Sequence, residues 1–270
     1  ADALDSSGAV AMETRISDDA KFSDMNQRYR VEAGKRNQDA TLAAVLGLTM
    51  RGLPALAVLA LRFAAILPPD TVPWPWLEQL CRRAHPDLFA VTDPYAAADP
   101  WPEVKRLLLG RRLLTDGDEP FARMHRLVGD HVRRTVESDK AAGFESDVVA
   151  VITEAVEAAD LDGTAAVWQL RAVIDAALPQ LPASNDLVNL GWSDFLQAAY
   201  SYVGAAVLPL AEALVTARRA LYDGAPDNLT YQRDLAVGLD DWAWLVRNWD
   251  TSRADGYYRE AVDLHRALYE

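Results

Sequence analysis

Few residues of this chain have the types and the spacing that catalysis or metal binding requires. The candidates are four histidines and a single cysteine, Cys81. His125 and His131 lie six positions apart, which places the two rings on different faces of a helix and is wrong for a shared metal ion. No Gly-x-Ser-x-Gly motif and no Cys–His arrangement stands out, so nothing indicates nucleophilic catalysis. We therefore expect no catalytic residue and no metal site.

The chain also lacks the Gly-x-x-x-x-Gly-Lys-Ser/Thr loop whose backbone N–H groups cradle nucleotide phosphates. We therefore predict that this chain is not an enzyme and holds no cofactor. One cysteine excludes an intramolecular disulfide framework and fits a reducing compartment. The first 19 residues are acidic and contain no long apolar run, so no secretory signal opens the chain. These features predict a cytoplasmic location.

Charge is distributed unevenly over the 270 residues. The chain carries 27 basic and 40 acidic side chains, for a net charge of −13. Residues 1–100 have a net charge of −3, residues 101–136 one of +3, and residues 137–270 one of −13. An acidic surface repels nucleic acid and anionic lipid. We expect protein or peptide partners, and neither a nucleic acid nor a membrane.

The first part of the chain predicts a polar leader over residues 1–38, followed by helices. The apolar stretch from Leu42 to Leu67 is long enough to span a bilayer, but Arg51, Pro54 and Arg62 interrupt it. Two arginines near the centre of a span would cost several kcal/mol in lipid. We predict two core helices in its place.

Residues 39–138 combine helical periodicity with one hairpin signal. Apolar residues recur at helical spacing from Asp39, Pro54, Trp74 and Trp101 onward. Two short runs, 112–115 and 121–124, then flank a segment rich in turn residues, and a last helix is predicted from His125 to Val136. Helices, a hairpin and a closing helix predict a winged-helix domain.

Residues 139–270 predict helices only. Gly, Pro, Asp and Ser clusters divide them into six segments, at about 145–160, 164–181, 186–203, 207–222, 229–249 and 254–270. Taken in pairs, the units start near 145, 186 and 229, so the starts are 41 and 43 residues apart. Ala217–Tyr222 and Leu264–Tyr269 share four of six residues at the ends of two pairs. A near-constant period of helix pairs is typical of an α-solenoid.

Two groups of side chains in this region are candidates for partner binding. Asn189, Ser193 and Gln197 form a polar stripe at i, i+4 and i+8 on the predicted 186–203 helix. Such a stripe either lines a partner groove or is an ordinary solvated face. Three tryptophans concentrate in the predicted 229–249 helix, where they either pack in the core or anchor an interface, namely Trp242, Trp244 and Trp249.

Two blocks resemble a known family. Leu61–Pro73 is similar to the winged-helix entry of STAND-class signalling ATPases with NB-ARC modules, and Arg123–Asp130 resembles the Met-His-Asp segment that closes that winged helix. Tetratricopeptide-like (TPR-like) repeats commonly follow in bacterial members. The resemblance covers roughly residues 40–270. Within the Met-His-Asp segment, Arg126 stands where plant relatives usually have Asp. The family also has a motif that contacts adenine, but Gly52–Ala55 lies too close to the winged-helix entry to be that motif.

The resemblance implies a role for His125. In that family this histidine contacts the β-phosphate of ADP and holds the resting state, and an imidazole can donate a hydrogen bond to phosphate at neutral pH. The nucleotide-binding core would lie upstream, so ADP or ATP is expected only in a longer protein, whose NTPase domain would be an intramolecular partner. The repeats would bind a protein or peptide trigger.

Two other functions remain open at this point. The chain could be a free-standing helical-repeat adaptor that binds partners and has no ATPase relative in the same polypeptide. It could also be a winged-helix transcription regulator, since the basic residues of 101–136 could contact DNA phosphates.

Overall fold

The structure, a computed structural model, is mainly helical. It describes residues 44–89, 99–135, 138–159 and 166–269, without the side chains of 138–141. The predicted leader, residues 1–38, lies outside the described residues. The chain divides into two compact units, Ala1–Leu53 and Pro54–Glu270. In the first unit residues 44–51 are helical (α1), with Leu46 buried.

Helix α2 (Ala55–Ile66) lies at the centre of the first part of the larger unit. Its sequence consists of apolar residues, mostly Ala and Leu, apart from Arg62, and Ala and Leu are the strongest helix formers among them. Pro54 precedes the helix, and Leu67 ends it in an extended conformation because a proline follows. Eight of its residues are buried, since other helices contact it on several sides. Those helices are α3 (Trp74–Ala84), α4 (Trp101–Gly110), α5 (Arg126–Thr135) and α6 (Ser138–Glu157).

A three-stranded antiparallel sheet accompanies these helices. The predicted hairpin is confirmed, since β2 (Leu114–Asp116) pairs with β3 (Phe121–Met124). The outer strand β1 (Val72–Pro73) pairs with the other edge of β3, which gives the order β1-β3-β2. The sequence did not predict β1, because two residues are too few for a period of two to show. Pro73 lies in an edge strand, where a missing N–H costs no ladder hydrogen bond.

The rest of the chain is a succession of helices. After α6 the helices are α7 (Val167–Gln180), α8 (Asn185–Val188), α9 (Ser193–Val203), α10 (Leu208–Gly224), α11 (Leu229–Val246) and α12 (Thr251–Ala267). Contacts run mainly between elements close in the chain, with α6 against α7, α7 against α9, α10 against α11 and α11 against α12. Five of the six predicted segments correspond to single α-helices.

The predicted 186–203 helix is wrong, because the structure interrupts it between Val188 and Ser193. The carbonyls exposed by the interruption find partners elsewhere in the fold. Trp192 Nε1 donates to the Leu187 carbonyl at 2.7 Å, and Arg218 on α10 donates to the carbonyls of Val188 (3.0 Å) and Leu190 (2.9 Å). Buried carbonyls require such partners, so Arg218 and Trp192 make the break stable.

Helix α6 connects the two predicted domains. It contacts α2 and α3 as well as α7. Phe144 meets Phe63 edge to face at a centroid distance of 5.0 Å, and Glu154 accepts from Gln79 at 2.9 Å. Phe121 of β3 similarly contacts Trp168 of α7. Pro54–Glu270 therefore forms one compact unit.

One helical run among the described residues, Ser193–Gly224, is long and apolar enough by composition to cross a membrane. Core helices of soluble proteins meet the same criterion. Gly204 interrupts the run with a φ of 61°, and Arg218 within it is buried against backbone carbonyls.

Candidate functional site

His125 lies at the junction between β3 and α5. The preceding Met124 is buried, and its N–H donates to the Pro69 carbonyl, which holds the end of the strand. The His125 carbonyl accepts the N–H groups of Val128 and Gly129, as the residue before a helix should. The backbone on both sides therefore fixes this position.

The imidazole of His125 is exposed, and one of its nitrogens is used locally. Its Nδ1 accepts the N–H of Leu127 at 3.3 Å, so the ring caps the first turn of α5. Because Nδ1 is the acceptor, the neutral ring carries its proton on Nε2. Within the part of the chain that the structure describes, Nε2 has no hydrogen-bond partner, so it can donate to an external acceptor such as a phosphate oxygen.

Some of the basic residues in the 101–136 segment form ion pairs or hydrogen bonds within the fold. Arg106 pairs with Glu103 on α4. Arg133 on α5 pairs with Asp130 and also donates to the Ala65 carbonyl, which ties α5 to α2. These pairs reduce the positive charge that the 101–136 segment presents to solvent.

The predicted polar stripe is divided by the break between α8 and α9. Asn189 is exposed at the end of α8, whereas Ser193 and Gln197 are half-buried on α9. Ser193 Oγ donates to Asp241 Oδ2 of α11 at 2.8 Å. The three side chains therefore do not share one helix, and Ser193 is engaged by a neighbouring helix. Their role in partner binding stays a prediction.

An aromatic cluster continues the line of Ser193 and Gln197 along α9. The Tyr200 ring lies edge to face with Trp244 of α11 and with Trp249 in the turn after α11, both at centroid distances of 5.6 Å. Trp249 is 55% exposed. We call the surface formed by these side chains of α9 and α11 the α9/α11 strip, which consists of Ser193, Gln197, Tyr200, Asp241, Trp244 and Trp249.

The three tryptophans thus have different environments. Trp242 is buried against α12, where its ring contacts Tyr257. Trp244 is half-buried, and Trp249 is exposed. Trp242 therefore packs in the core, whereas Trp249 is exposed and its role as an interface anchor stays a prediction. Sequence reasoning missed Tyr200, although it follows Ser193 at i+7 and extends the same helical face.

A buried charge network lies behind the strip. Arg218 of α10 is 4% exposed and passes over Gly238 of α11, where an added Cβ would lie 3.0 Å from its Nη1 atom. Burial lowers the pKa of Arg218, and the charges of Asp234 and Asp241 oppose this change. Burial also raises the pKa of Asp241, against the hydrogen bond from Ser193 and the charge of Arg218. The network fixes α9, α10 and α11 relative to one another.

Among the described residues, no group of three or more His, Cys, Asp or Glu could hold a metal ion. The Cys81 thiol is buried, which raises its pKa to about 12, and Glu78 adds to this rise. A thiol with so high a pKa is a poor nucleophile at neutral pH. The candidate sites are therefore the exposed imidazole of His125 and the α9/α11 strip, in which Trp249 is the exposed side chain.

Comparison with known proteins adds no assignment to these sites. No family model, no curated protein and no solved structure matches the chain. What the chain does must therefore be argued from the chemistry of His125 and of the α9/α11 strip.

Proposed function

We propose that this chain is the non-catalytic regulatory and ligand-sensing portion of a STAND-type signal-transduction ATPase. Residues 54–135 act as a winged helix that holds the resting state, and the helices after them act as TPR-like repeats that bind a protein or peptide trigger. The observation that carries the proposal is the exposed imidazole of His125, fixed between β3 and α5 with Nε2 available to a phosphate.

The order of elements supports the winged-helix part. The succession α2, β1, α3, α4, β2, β3, α5 with the sheet order β1-β3-β2 is that expected of a winged helix. The Met124–His125 pair occupies the end of the last strand and the start of the closing helix. A histidine at that junction can reach a nucleotide held by a neighbouring domain without disturbing the core.

The contacts of the later helices support the repeat part. Helix α10 contacts α11, and α11 contacts α12, while α9 packs against α7 and α11. The similar segments Ala217–Tyr222 and Leu264–Tyr269 lie at equivalent places, near the ends of α10 and α12. In a stack of repeats, α9 and α11 are the first helices of successive pairs, and the α9/α11 strip is the face offered to a partner.

Regulation then follows from a difference in affinity. A trigger bound to the repeats shifts the equilibrium between resting and active states only if it contacts the two states differently. The contacts of α6 with α2 and α3 offer a physical connection between the repeats and the winged helix. His125 would be the group whose contact with ADP is lost in the active state.

The reading frame that encodes this chain provides the most direct test. We expect the codons upstream of Ala1 to encode a phosphate-binding loop of the form Gly-x-x-x-x-Gly-Lys-Ser/Thr. A frame without that loop would contradict the ATPase assignment and leave the free-standing adaptor, which the α9/α11 strip also supports.

Isothermal titration supplies a second test. This chain alone contributes one phosphate donor and no phosphate loop, so we expect neither ADP nor ATP to bind saturably in the micromolar range. Micromolar ADP affinity for this chain alone would contradict the proposal.

The third candidate, a transcription regulator, requires DNA binding that is salt-sensitive and sequence-selective in a gel shift. Arg123 and Arg126 are the residues to replace there, because Arg133 has a structural contact with Ala65.

A further inference from the structure

The α9/α11 strip combines an aromatic cluster with acidic groups at both of its ends. Tyr200 is flanked by Trp244 and Trp249, whose planes are inclined to it by 76° and 73°. These rings contact one another directly, so a cation can bind only on a ring face that remains exposed. Trp249 is 55% exposed in this cluster, and tryptophan is among the side chains most enriched at the centres of protein interfaces.

Four carboxylates lie in the strip or directly beside its residues in the chain, those of Asp194, Asp240, Asp241 and Asp250. Asp194 is exposed on α9 one position after Ser193, and Asp250 is exposed directly after Trp249. Asp240 and Asp194 both lie close enough to Asp241 to oppose its ionisation. Residues 137–270 carry a net charge of −13 overall, so the strip lies within the most acidic part of the chain.

One cation of the chain already uses this aromatic surface. The Arg247 guanidinium lies 5.1 Å from the centre of the Trp244 ring. Arg247 itself is exposed. The ring therefore accepts a cation in the free protein, and an incoming cation would replace or join Arg247 there.

We propose that the α9/α11 strip binds a lysine- or arginine-bearing linear segment of a partner protein. This inference rests on the function proposed above and specifies the chemistry of the trigger. A cation of the segment lies on the exposed ring of Trp249, beside Asp250, the exposed residue that follows it in the chain.

The test compares two short fluorescein-labelled peptides in the same Gly/Ser/Leu background, one with lysines and one with glutamates at the same positions. Anisotropy titrations with the whole chain should show binding of the lysine peptide only, weakening as salt is added. Trp249→Ala should weaken that binding about tenfold. Tyr202→Ala is the matched control, because Tyr202 is also on α9 and is 52% exposed but lies outside the strip.

Two charge changes separate a specific site from general attraction to an acidic protein. Asp250→Asn keeps a capping side chain at the start of α12 but removes the charge beside Trp249, and it should weaken binding about threefold. Asp227→Asn, which neutralises an exposed aspartate outside the strip, should not weaken it. Arg247→Ala should strengthen binding because it vacates the Trp244 ring. Arg233→Ala removes the same charge from a cation paired with Asp234 and should have a smaller effect.

The outcomes distinguish this inference from the proposed function. Binding of the glutamate peptide, lost in Trp249→Ala, would overturn the charge preference while leaving the repeats as a peptide-binding surface. Lysine-peptide binding that is equal in Trp249→Ala and Tyr202→Ala would overturn the strip as the site. Tyr200→Leu, with circular dichroism as a check on folding, removes the ring against which Trp249 packs and should also weaken binding of the lysine peptide. The ATPase assignment is decided separately by the upstream reading frame.

Discussion

At the scale of the residue, burial determines the chemistry of the titratable groups in the core. Cys81 lies in α3 with no exposed surface, and its thiol pKa is raised to about 12. A thiol reacts as its thiolate, so both the raised pKa and the lack of access suppress its reactivity. Cys81, the single cysteine of the chain, is thus an unreactive side chain of the core.

We therefore expect Cys81 to resist thiol reagents in the folded protein. At pH 8 a pKa of about 12 leaves about a thousandth of the thiolate that the ordinary value of 9.0 would give. Labelling with a disulfide reagent should be at least that much slower in buffer than in concentrated urea. Equal rates in the two solvents would show that α3 opens freely.

Gly204 is a residue whose backbone conformation decides its identity. It ends α9 at φ 61° and ψ −135°, a combination that residues other than glycine rarely adopt. Gly204→Ala should lower the free energy of unfolding by about 1–3 kcal/mol, although the added methyl group would meet nothing within 4 Å. Urea denaturation measures this loss. The control is Gly191→Ala, which has equal space and no positive φ, and a comparable loss in that variant would contradict the backbone explanation.

At the scale of the element, the packing of α10 on α11 depends on a small residue opposite a large one. Arg218 passes over Gly238, with its Cδ 3.2 Å and its Nη1 3.0 Å from the position of an added Cβ. Its guanidinium cannot move away easily, because it donates to the carbonyls of Val188 and Leu190. The glycine in the middle of α11 is thus explained by the arginine on its neighbour.

Gly238→Ala should destabilise the protein by about 1–3 kcal/mol through overpacking, in spite of the better helix propensity of alanine. Gly256→Ala is the matched control, because Gly256 is also within a helix but has open space around it. That control should gain up to about 1 kcal/mol. A gain in both variants, measured by urea denaturation, would show that Arg218 does not constrain α11.

Removal of the Arg218 guanidinium tests the break between α8 and α9. Arg218→Met leaves two buried carbonyls and Asp241 without their partner and should cost about 3–5 kcal/mol. Arg218→Lys keeps the charge but lacks the planar fork that reaches both carbonyls, so we expect an intermediate loss. Equal stability of the wild-type chain and both variants in urea would mean that the break forms without Arg218.

At the scale of the whole molecule, α6 joins the sheet-containing part to the later helices. Its Phe144 contacts Phe63 of α2, and its Glu154 is bonded by Gln79 and Arg83 of α3. Phe121 and Trp168 make a second contact between the two parts. The sheet-containing part and the later helices therefore contact each other and form one compact unit.

We expect residues 54–269 to unfold in one cooperative transition. The urea curve from far-ultraviolet circular dichroism should coincide with the curve for Cys81 accessibility, since α3 contacts α6. Phe144→Ala should shift both curves together to lower urea. Two separate transitions, with Cys81 exposed in only one of them, would show that the two parts fold independently.

The sequence by itself determined most of the helices and the hairpin. Helix positions follow from apolar residues at a spacing of 3.6 and from Pro, Gly and Asp at the ends, and both signals are local in the chain. The turn residues between Asp116 and Pro120 predicted the hairpin for the same reason. His125 could be placed before a helix from its neighbours alone, and the structure has it there.

Tertiary structure alone decided which side chains meet and which remain exposed. The break after α8 depends on Arg218, thirty residues away from Val188. Trp242 and Trp249 have the same residue type in one segment, yet one is buried by α12 and the other is exposed. Burial and hydrogen-bond partners come from elements distant in the chain, and no local periodicity encodes them. The aromatic surface of Tyr200 and Trp249 therefore exists only once α9 and α11 lie side by side.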